Sequence, residues 1–177
     1  MKKVLFPALA IFTLLASAFT TFNTIQWQIT DGYAIKFAGK DAEGRFEKFS
    51  GDIVFDEKNL DASKFSVSLD VSSITTGNGM KNKHAKSDKW FDAKQFPTIN
   101  FTSNKFSKTA SGYTVEGSLD LHGVKKTVSI PFTFSNNTFV GSFSVNRLDY
   151  GVGTMEGMSK KVSNEIKIDI SVPVKKK

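Results

Sequence analysis

The feature that most constrains this chain is an alternation of apolar and polar residues that recurs along nearly its whole length. The clearest segment is FSVSLDVS at residues 65–72, in which every second residue is apolar. A period of two is typical of a β-strand with one buried face. About eight such segments follow one another, separated by Gly, Asn, Asp or Ser. The sequence therefore predicts an all-β protein whose strands hide their apolar faces against one another.

Short turns join most of these segments, so consecutive strands are expected to pair as antiparallel neighbours. A closed barrel buries every apolar face at once and leaves no exposed sheet edge. We therefore predict an eight-stranded antiparallel up-and-down β-barrel, with a two-layer sandwich as the alternative. A barrel of eight strands is either filled by its own side chains or holds one small ligand.

Three irregularities in the alternation predict local breaks in the strands. The first strand is expected to bend near Asp31 and Gly32, and a bulge is expected between Phe46 and Phe49, which are out of phase. Pro131 lies on the polar side of its strand and has no amide hydrogen to donate to a neighbour. We therefore predict a free edge or a bulge at Pro131.

One run, residues 71–103, interrupts the pattern. It leaves an alternating strand, crosses a Lys-rich stretch with helix-like spacing and re-enters a strand at Phe96 and Pro97. This run predicts a short helical cap around residues 79–92, placed over one end of the barrel. The last strand is expected to span residues 162–174.

The N-terminus carries Lys2 and Lys3, then an apolar stretch, then Ala16-Ser17-Ala18, which are the parts of a secretory signal peptide. We predict a signal peptide at residues 1–18, a single domain at residues 19–177, and a periplasmic or secreted location. The chain has no Cys, so neither a lipid-modified Cys nor a disulfide is expected. Its formal net charge of +7 favours anionic partners such as lipid head groups and is too dispersed for nucleic acid.

Several motifs resemble one known family. They are residues 72–103, SSITTGNGMKNKHAKSDKWFDAKQFPTINFTS; residues 113–128, YTVEGSLDLHGVKKTV; residues 146–153, NRLDYGVG; and residues 162–172, VSNEIKIDISV. In this order they resemble the YceI-like family of exported polyisoprenoid-binding proteins. The resemblance implies a lipocalin-like antiparallel barrel whose apolar lumen takes up a long-chain amphiphile. The chain departs from the family where it has Lys81-Asn82 instead of the usual Arg-Asp, and Ala85 instead of Leu.

The apolar side of the strands is rich in Phe, of which the chain has 17. Such residues either fill a core or line a tunnel for a hydrocarbon, and the resemblance favours the tunnel. The predicted lumen wall comprises Phe55, Phe65, Val67, Leu69, Phe101, Leu119, Phe132, Phe134, Phe143 and Ile168. The predicted contacts at the cap and mouth are Lys81, His84, Trp90 and Phe91, with lysines available for a phosphate or carboxylate head group.

The sequence predicts a binding protein and no enzyme. It has two His, no Cys and no G-x-S-x-G motif, so neither a zinc site nor a hydrolase site is expected, and no cofactor is predicted. The predicted function is binding, storage or transport of a long-chain isoprenoid or fatty lipid. The alternatives are a secreted stress or interaction protein with a filled barrel, and an enzyme that uses His84 or His122 as acid and base. Transient membrane-surface contact and a homodimer are further expectations.

Overall fold

The computed structural model describes residues 24–154 and 157–177. The predicted signal peptide at residues 1–18 lies outside the described residues. The strands are β1 (Gln26–Ile29), β2 (Ala34–Gly39), β3 (Ala42–Phe46), β4 (Phe49–Val54), β5 (Lys64–Asp70), β6 (Ile74–Thr75), β7 (Thr98–Thr109), β8 (Gly112–Leu121), β9 (Val124–Ser135), β10 (Thr138–Asn146) and β11 (Glu165–Lys176). The described part of the chain contains no helix long and apolar enough to span a membrane.

The strands form a closed antiparallel barrel. Eight of them follow one another around a ring in the order β1, β4, β5, β7, β8, β9, β10 and β11, and pairing of β1 with β11 closes it. The short strands β2, β3 and β6 extend the ring at one end, where β2 pairs with β11, β3 with β2, and β6 with β3. The predicted eight-stranded up-and-down barrel is therefore confirmed.

Hydroxyl groups bridge the points at which the long strands break. Between β3 and β4, the amide groups of Glu47 and Lys48 both donate to Ser73 Oγ, at 3.2 and 3.0 Å. The amide of Phe49 donates to Tyr33 Oη at 3.2 Å. These bonds replace ladder hydrogen bonds where the chain shifts phase. The shift of phase between Phe46 and Phe49 takes the form of a break between β3 and β4 instead of the expected bulge. The predicted break near Asp31 and Gly32 is confirmed, since β1 and β2 are separate strands and Gly32 has a φ of +88°.

The cap contains one helix, α1 (Gly79–Lys86), which covers the first part of the predicted 79–92 segment. The Asn78 side chain accepts hydrogen bonds from the amides of Met80 and Lys81, as is usual for a residue that begins a helix. The helix ends because Ser87 turns away from it: both its amide and its hydroxyl donate to His84 O. Residues 87–97 form turns that return the chain to β7.

The two ends of the barrel differ in what covers them. At one end, called here the aromatic end, lie the start of β1, the loop at residues 55–63, the turns at 110–111 and 136–137, and the C-terminus. At the other end, called here the cap end, lie the cap segment 76–97, the turn at 122–123 and the connection 147–164. The last strand begins at Glu165 instead of the predicted residue 162, because the preceding residues belong to this connection.

Candidate functional site

The barrel encloses a cavity of ≈140 Å³ about midway along its axis, with an apolar accessible wall. The side chains that line it lie on the inward side of strands all around the ring. They belong to Ile35, Phe49, Ile53, Phe65, Val67, Leu69, Ile99, Phe101, Val115, Leu119, Ile130, Phe132, Phe139, Phe143, Ile168, Ile170 and Val172. An apolar interior of this kind can hold a hydrocarbon and offers no hydrogen bond to a polar group.

The structure brings most of the predicted wall residues together around this cavity. On its wall lie Phe65, Val67, Leu69, Phe101, Leu119, Phe132, Phe143 and Ile168. Phe55 and Phe134 point inward as well, but they lie off the cavity wall, in the packed aromatic end. Ligand contact by these residues stays a prediction, because the structure holds no ligand.

The prediction from the sequence omits several wall residues, although the alternation of apolar and polar residues places them on the inward face. Val115 and Ile130 share the inward parity of Leu119 and Phe132 on their strands, and Ile35 and Ile53 lie on the inward side of β2 and β4. All four are buried. The alternation itself could have identified them.

An aromatic cluster closes one end of the lumen. Phe55 is 1% exposed and packs edge-on against Tyr113 and Phe139, with ring centroids 5.2 and 5.3 Å apart. Phe134 lies against Phe139 at 4.4 Å, and Trp27 Nε1 donates to Phe55 O at 2.9 Å. Such edge-to-face contacts add to the free energy of apolar burial. The lumen is therefore blocked by side chains at the aromatic end and is not an open tunnel.

The cap end is covered by side chains from four parts of the chain: the cap segment, β3, the turn 122–123 and the connection 147–164. Phe91 packs edge-on against Phe46 with ring centroids 6.2 Å apart, and Trp90 lies against Arg147. Phe96 packs against His122 at 4.4 Å. Neither Trp90 nor Phe91 contributes to the cavity wall. Both are partly buried and pack against the core from the cap end. Contact of Trp90 or Phe91 with a ligand stays a prediction.

Arg147 organises the connection 147–164 and was missed by the sequence analysis. It is 6% exposed, and its guanidinium donates to the carbonyl oxygens of Val152, Gly153, Ser159, Val162 and Ser163 and to Asn164 Oδ1. Burial lowers the pKa of Arg147, yet an arginine side chain stays charged in proteins. Backbone oxygens therefore balance the buried charge in place of a carboxylate. The sequence carries no local signal for such a set of acceptors.

The predicted polar contacts of the cap lie at the surface. Lys81 and His84 are exposed on α1. Within residues 24–154 and 157–177, none of the lysines in the cap segment 76–97 has an ion pair, whereas Lys48, Lys125, Lys126, Lys167 and Lys177 are each paired with an Asp. With five lysines and two aspartates, the cap segment therefore carries a net positive charge.

The histidines show no arrangement typical of acid–base catalysis. His122 Nδ1 lies 3.1 Å from Tyr150 O, so the ring joins the turn 122–123 to the connection 147–164. Neither His84 nor His122 contacts a carboxylate among the described residues. The same residues contain no cluster of His, Cys, Asp and Glu that could hold a metal ion. The apolar interior of the barrel can bury an apolar chain. The polar contact of His122 with Tyr150 O joins the segments that cover the cap end.

Comparison with known proteins gives one family for most of the chain. The family model described as "YceI-like domain" matches residues 20–174. A UPF0312 protein of Vibrio vulnificus is 33% identical over 138 residues, which are 72% of each chain. A UPF0312 protein of Yersinia enterocolitica is 40% identical over 87 residues, and the match spans 45% of that relative and 49% of this chain.

Solved structures show the same barrel. The crystal structure of Burkholderia cenocepacia BcnA has a TM-score of 0.75 at 30% identity and covers 81% of this chain and 96% of that one. The structure of a polyisoprenoid binding domain from Saccharophagus degradans has a TM-score of 0.55 at 14% identity, with 87% and 98% covered. The latter similarity concerns the fold alone.

Proposed function

The chain belongs to the YceI-like domain family, and from that premise we propose that it binds the tail of a long-chain isoprenoid or similar lipid in its lumen, without catalysis. The observation that carries the proposal is the apolar cavity enclosed by the ring of strands. The Saccharophagus structure, described as a polyisoprenoid binding domain, supports the same use of this fold.

The size of the cavity sets a condition on the ligand. Its ≈140 Å³ is close to the engineered apolar cavity of about 150 Å³ that holds one benzene molecule. A single isoprene unit is of similar size, so a longer chain must displace wall side chains. Phe65, Val67 and Phe143 are half-buried on the wall and are the groups that we expect to move.

Burial of the chain supplies the affinity. At about 0.8 kcal/mol per carbon, each five-carbon isoprene unit gains roughly 4 kcal/mol when it leaves water. Ordering of the chain and rearrangement of the wall oppose this gain. Several buried units therefore suffice for tight binding without any polar contact inside the lumen.

We assign the head group to the cap end. The lysines of the cap segment lack ion pairs among the described residues, and lysine binds phosphate as a point charge. A phosphate or carboxylate that emerges beside α1 would meet exposed side chains that include Lys81 and His84. The signal-like residues 1–18 support export, so we propose that binding takes place in the periplasm or outside the cell.

Organic extraction of the purified protein, followed by mass spectrometry, tests the proposal. The wild-type extract should contain about one lipid per chain, whereas Val67→Trp, which fills the cavity, should contain far less. Val140→Trp is the matched control, because Val140 is 48% exposed on the outer face. Circular dichroism checks that both variants fold.

The same experiment decides between lipid binding and a filled barrel. The packed aromatic end favours the filled barrel for that part of the interior. A wild-type protein without lipid that also fails to take up added polyprenyl phosphate would establish the filled barrel and overturn the proposed function.

A further inference from the structure

The barrel wall is incomplete between β9 and β10. Their ladder begins at the pair Thr138–Ser135 and stops at the pair Gly141–Phe132. Beyond it, residues 124–131 of β9 pair only with β8, and residues 142–146 of β10 pair only with β11. We call this unpaired stretch the seam. The predicted free edge at Pro131 is confirmed, since Pro131 is the first residue of β9 beyond the end of the ladder.

Apolar side chains close the seam from within. Val128 on β9, and Phe143 and Val145 on β10, are half-buried and pack against the core. Ile130 and Phe143 also line the cavity, so the seam opens directly onto the lumen. Separation of the two strands here breaks packing contacts and no ladder hydrogen bonds.

The outer surface approaches the lumen at the inner end of the seam. A groove of ≈520 Å³ on the outer face is lined by Pro131, Thr133 and Val140, among others. It shares Phe132, Gly141 and Ile170 with the wall of the cavity. Gly141 contributes no side chain, and a Cβ there would lie 3.0 Å from Pro131 O. A single layer of backbone therefore separates the groove from the lumen.

One ion pair joins the two sides of the seam at the cap end. Lys126 Nζ on β9 lies 3.4 Å from Asp149 Oδ2, three residues after the end of β10. Lys126 Nζ also lies 5.9 Å from the centroid of the Tyr150 ring. Both partners of the ion pair are about half exposed, and such pairs contribute little to stability. The pair can therefore open and close readily.

The two ends of the lumen are held more firmly. The aromatic end is filled by the rings around Phe55. At the cap end, six hydrogen bonds of Arg147 and the packing of Phe91 on Phe46 hold the cover in place. Along the seam itself, the wall has no ladder hydrogen bond to break.

We propose that the seam is a lateral portal through which an apolar chain enters the lumen sideways, with the Lys126–Asp149 pair as its clasp. The proposal rests on the proposed function, since a portal requires a lumen that takes up such a chain. The occupant is the hydrocarbon tail itself, which slides between β9 and β10 while its head group stays in water.

A cross-link across the seam tests the portal. Continuation of the β9–β10 register would place Ser129 opposite Ser144, and both are exposed. The chain has no Cys, so Ser129→Cys with Ser144→Cys can be joined specifically by a short bismaleimide. The matched control, Ser144→Cys with Lys167→Cys, places the same tether across the intact β10–β11 ladder. The probe is cis-parinaric acid, whose fluorescence rises when it enters an apolar site.

The portal predicts that the seam tether slows the uptake of parinaric acid by delipidated protein roughly tenfold or more, as expected when a gating motion is blocked. The control tether should leave the rate unchanged. Asp149→Asn, without any tether, should speed uptake because the clasp is lost, while the amount bound at equilibrium stays the same.

Two results would overturn the portal. Equal uptake rates for the two tethered proteins would show that the chain enters elsewhere, with lipid binding itself intact. No uptake by the untethered wild type would reject the proposed function, and the portal with it. The equilibrium amplitude separates these outcomes, because it reports binding independently of the route.

Discussion

The guanidinium carbon of Arg147 lies 5.4 Å from the centroid of the Trp90 ring, so a buried cation from the connection 147–164 stacks on an aromatic residue of the cap. The same guanidinium holds the backbone carbonyls of its own connection. One side chain therefore orders the connection and fastens the cap to it.

This arrangement predicts that Arg147→Lys destabilises the protein although the substitution keeps the positive charge. A lysine cannot reach several carbonyl oxygens at once, and each buried acceptor left unpaired costs about 1–3 kcal/mol. The free energy of unfolding in urea should fall by about 3 kcal/mol. Arg45→Lys is the control, because Arg45 is exposed and paired with Glu47, and its effect should stay within about 0.5 kcal/mol. Equal effects of the two substitutions would refute the role of Arg147.

Strand parity predicts opposite outcomes for two adjacent residues. Phe132 is 7% exposed and faces the lumen, so Phe132→Asp would bury an unpaired carboxylate and should abolish both folding and lipid uptake. Thr133 is exposed on the outer face, so Thr133→Asp should leave both intact. Circular dichroism and soluble yield measure the difference. A folded Phe132→Asp protein would mean that this face of β9 is not buried.

The pair formed by Tyr113 and Glu57 predicts a loss of stability at alkaline pH. The Tyr113 hydroxyl donates to Glu57 Oε1 at 2.6 Å, and this bond, together with burial, raises the pKa of Tyr113 to about 12. The pKa in the unfolded chain is about 10, so this contribution is complete below about pH 10 and is lost as the pH rises to about 12. Tyr113→Phe and Glu57→Gln should both reduce the loss of stability between about pH 10 and pH 12, which is measured from urea midpoints across that range. A steeper decline in either variant would contradict the assignment.

The cap depends on hydrogen bonds accepted by Asn82. Asn82 Oδ1 accepts hydrogen bonds from both the amide and the hydroxyl of Thr76, each at 2.8 Å. The cap is thus ordered by an acceptor oxygen and needs no salt bridge at this position. Asn82→Asp keeps that acceptor and should leave the amide exchange rates of α1 unchanged. Asn82→Leu removes it and should speed exchange there by about tenfold. Slow exchange in Asn82→Leu would show that other contacts hold the cap.

The alternation was sufficient to predict the inward face of each strand, because its period fixes which side chains share one side. It left a two-layer sandwich open beside the barrel. It identified the inward faces of β5 and β9 correctly, including Phe65 and Phe132. It could not place Phe55 and Phe134 in the aromatic end. Position along the barrel axis depends on the stagger between neighbouring strands, which a single sequence does not specify.

The cap was predictable in location but only partly in form. The Lys-rich spacing predicted a helix, and Ser87, whose amide and hydroxyl both bond back to His84 O, ends it earlier than the spacing indicates. The role of Arg147 was not predictable, because its partners are backbone carbonyls that carry no residue signature. One feature of the sequence indicated a free edge at the seam, namely the position of Pro131 on the polar side of its strand. The length of the seam could not be predicted, because it depends on the register between β9 and β10.

The most direct test of the proposed function is a binding titration of delipidated protein with polyprenyl phosphates of increasing length. We expect saturation at about one chain per barrel and an affinity that strengthens with each added isoprene unit until the lumen is full. Val67→Trp should abolish this dependence on length, and Val140→Trp should preserve it. Affinity that is independent of chain length, or unchanged in Val67→Trp, would show that the lumen does not hold the lipid tail.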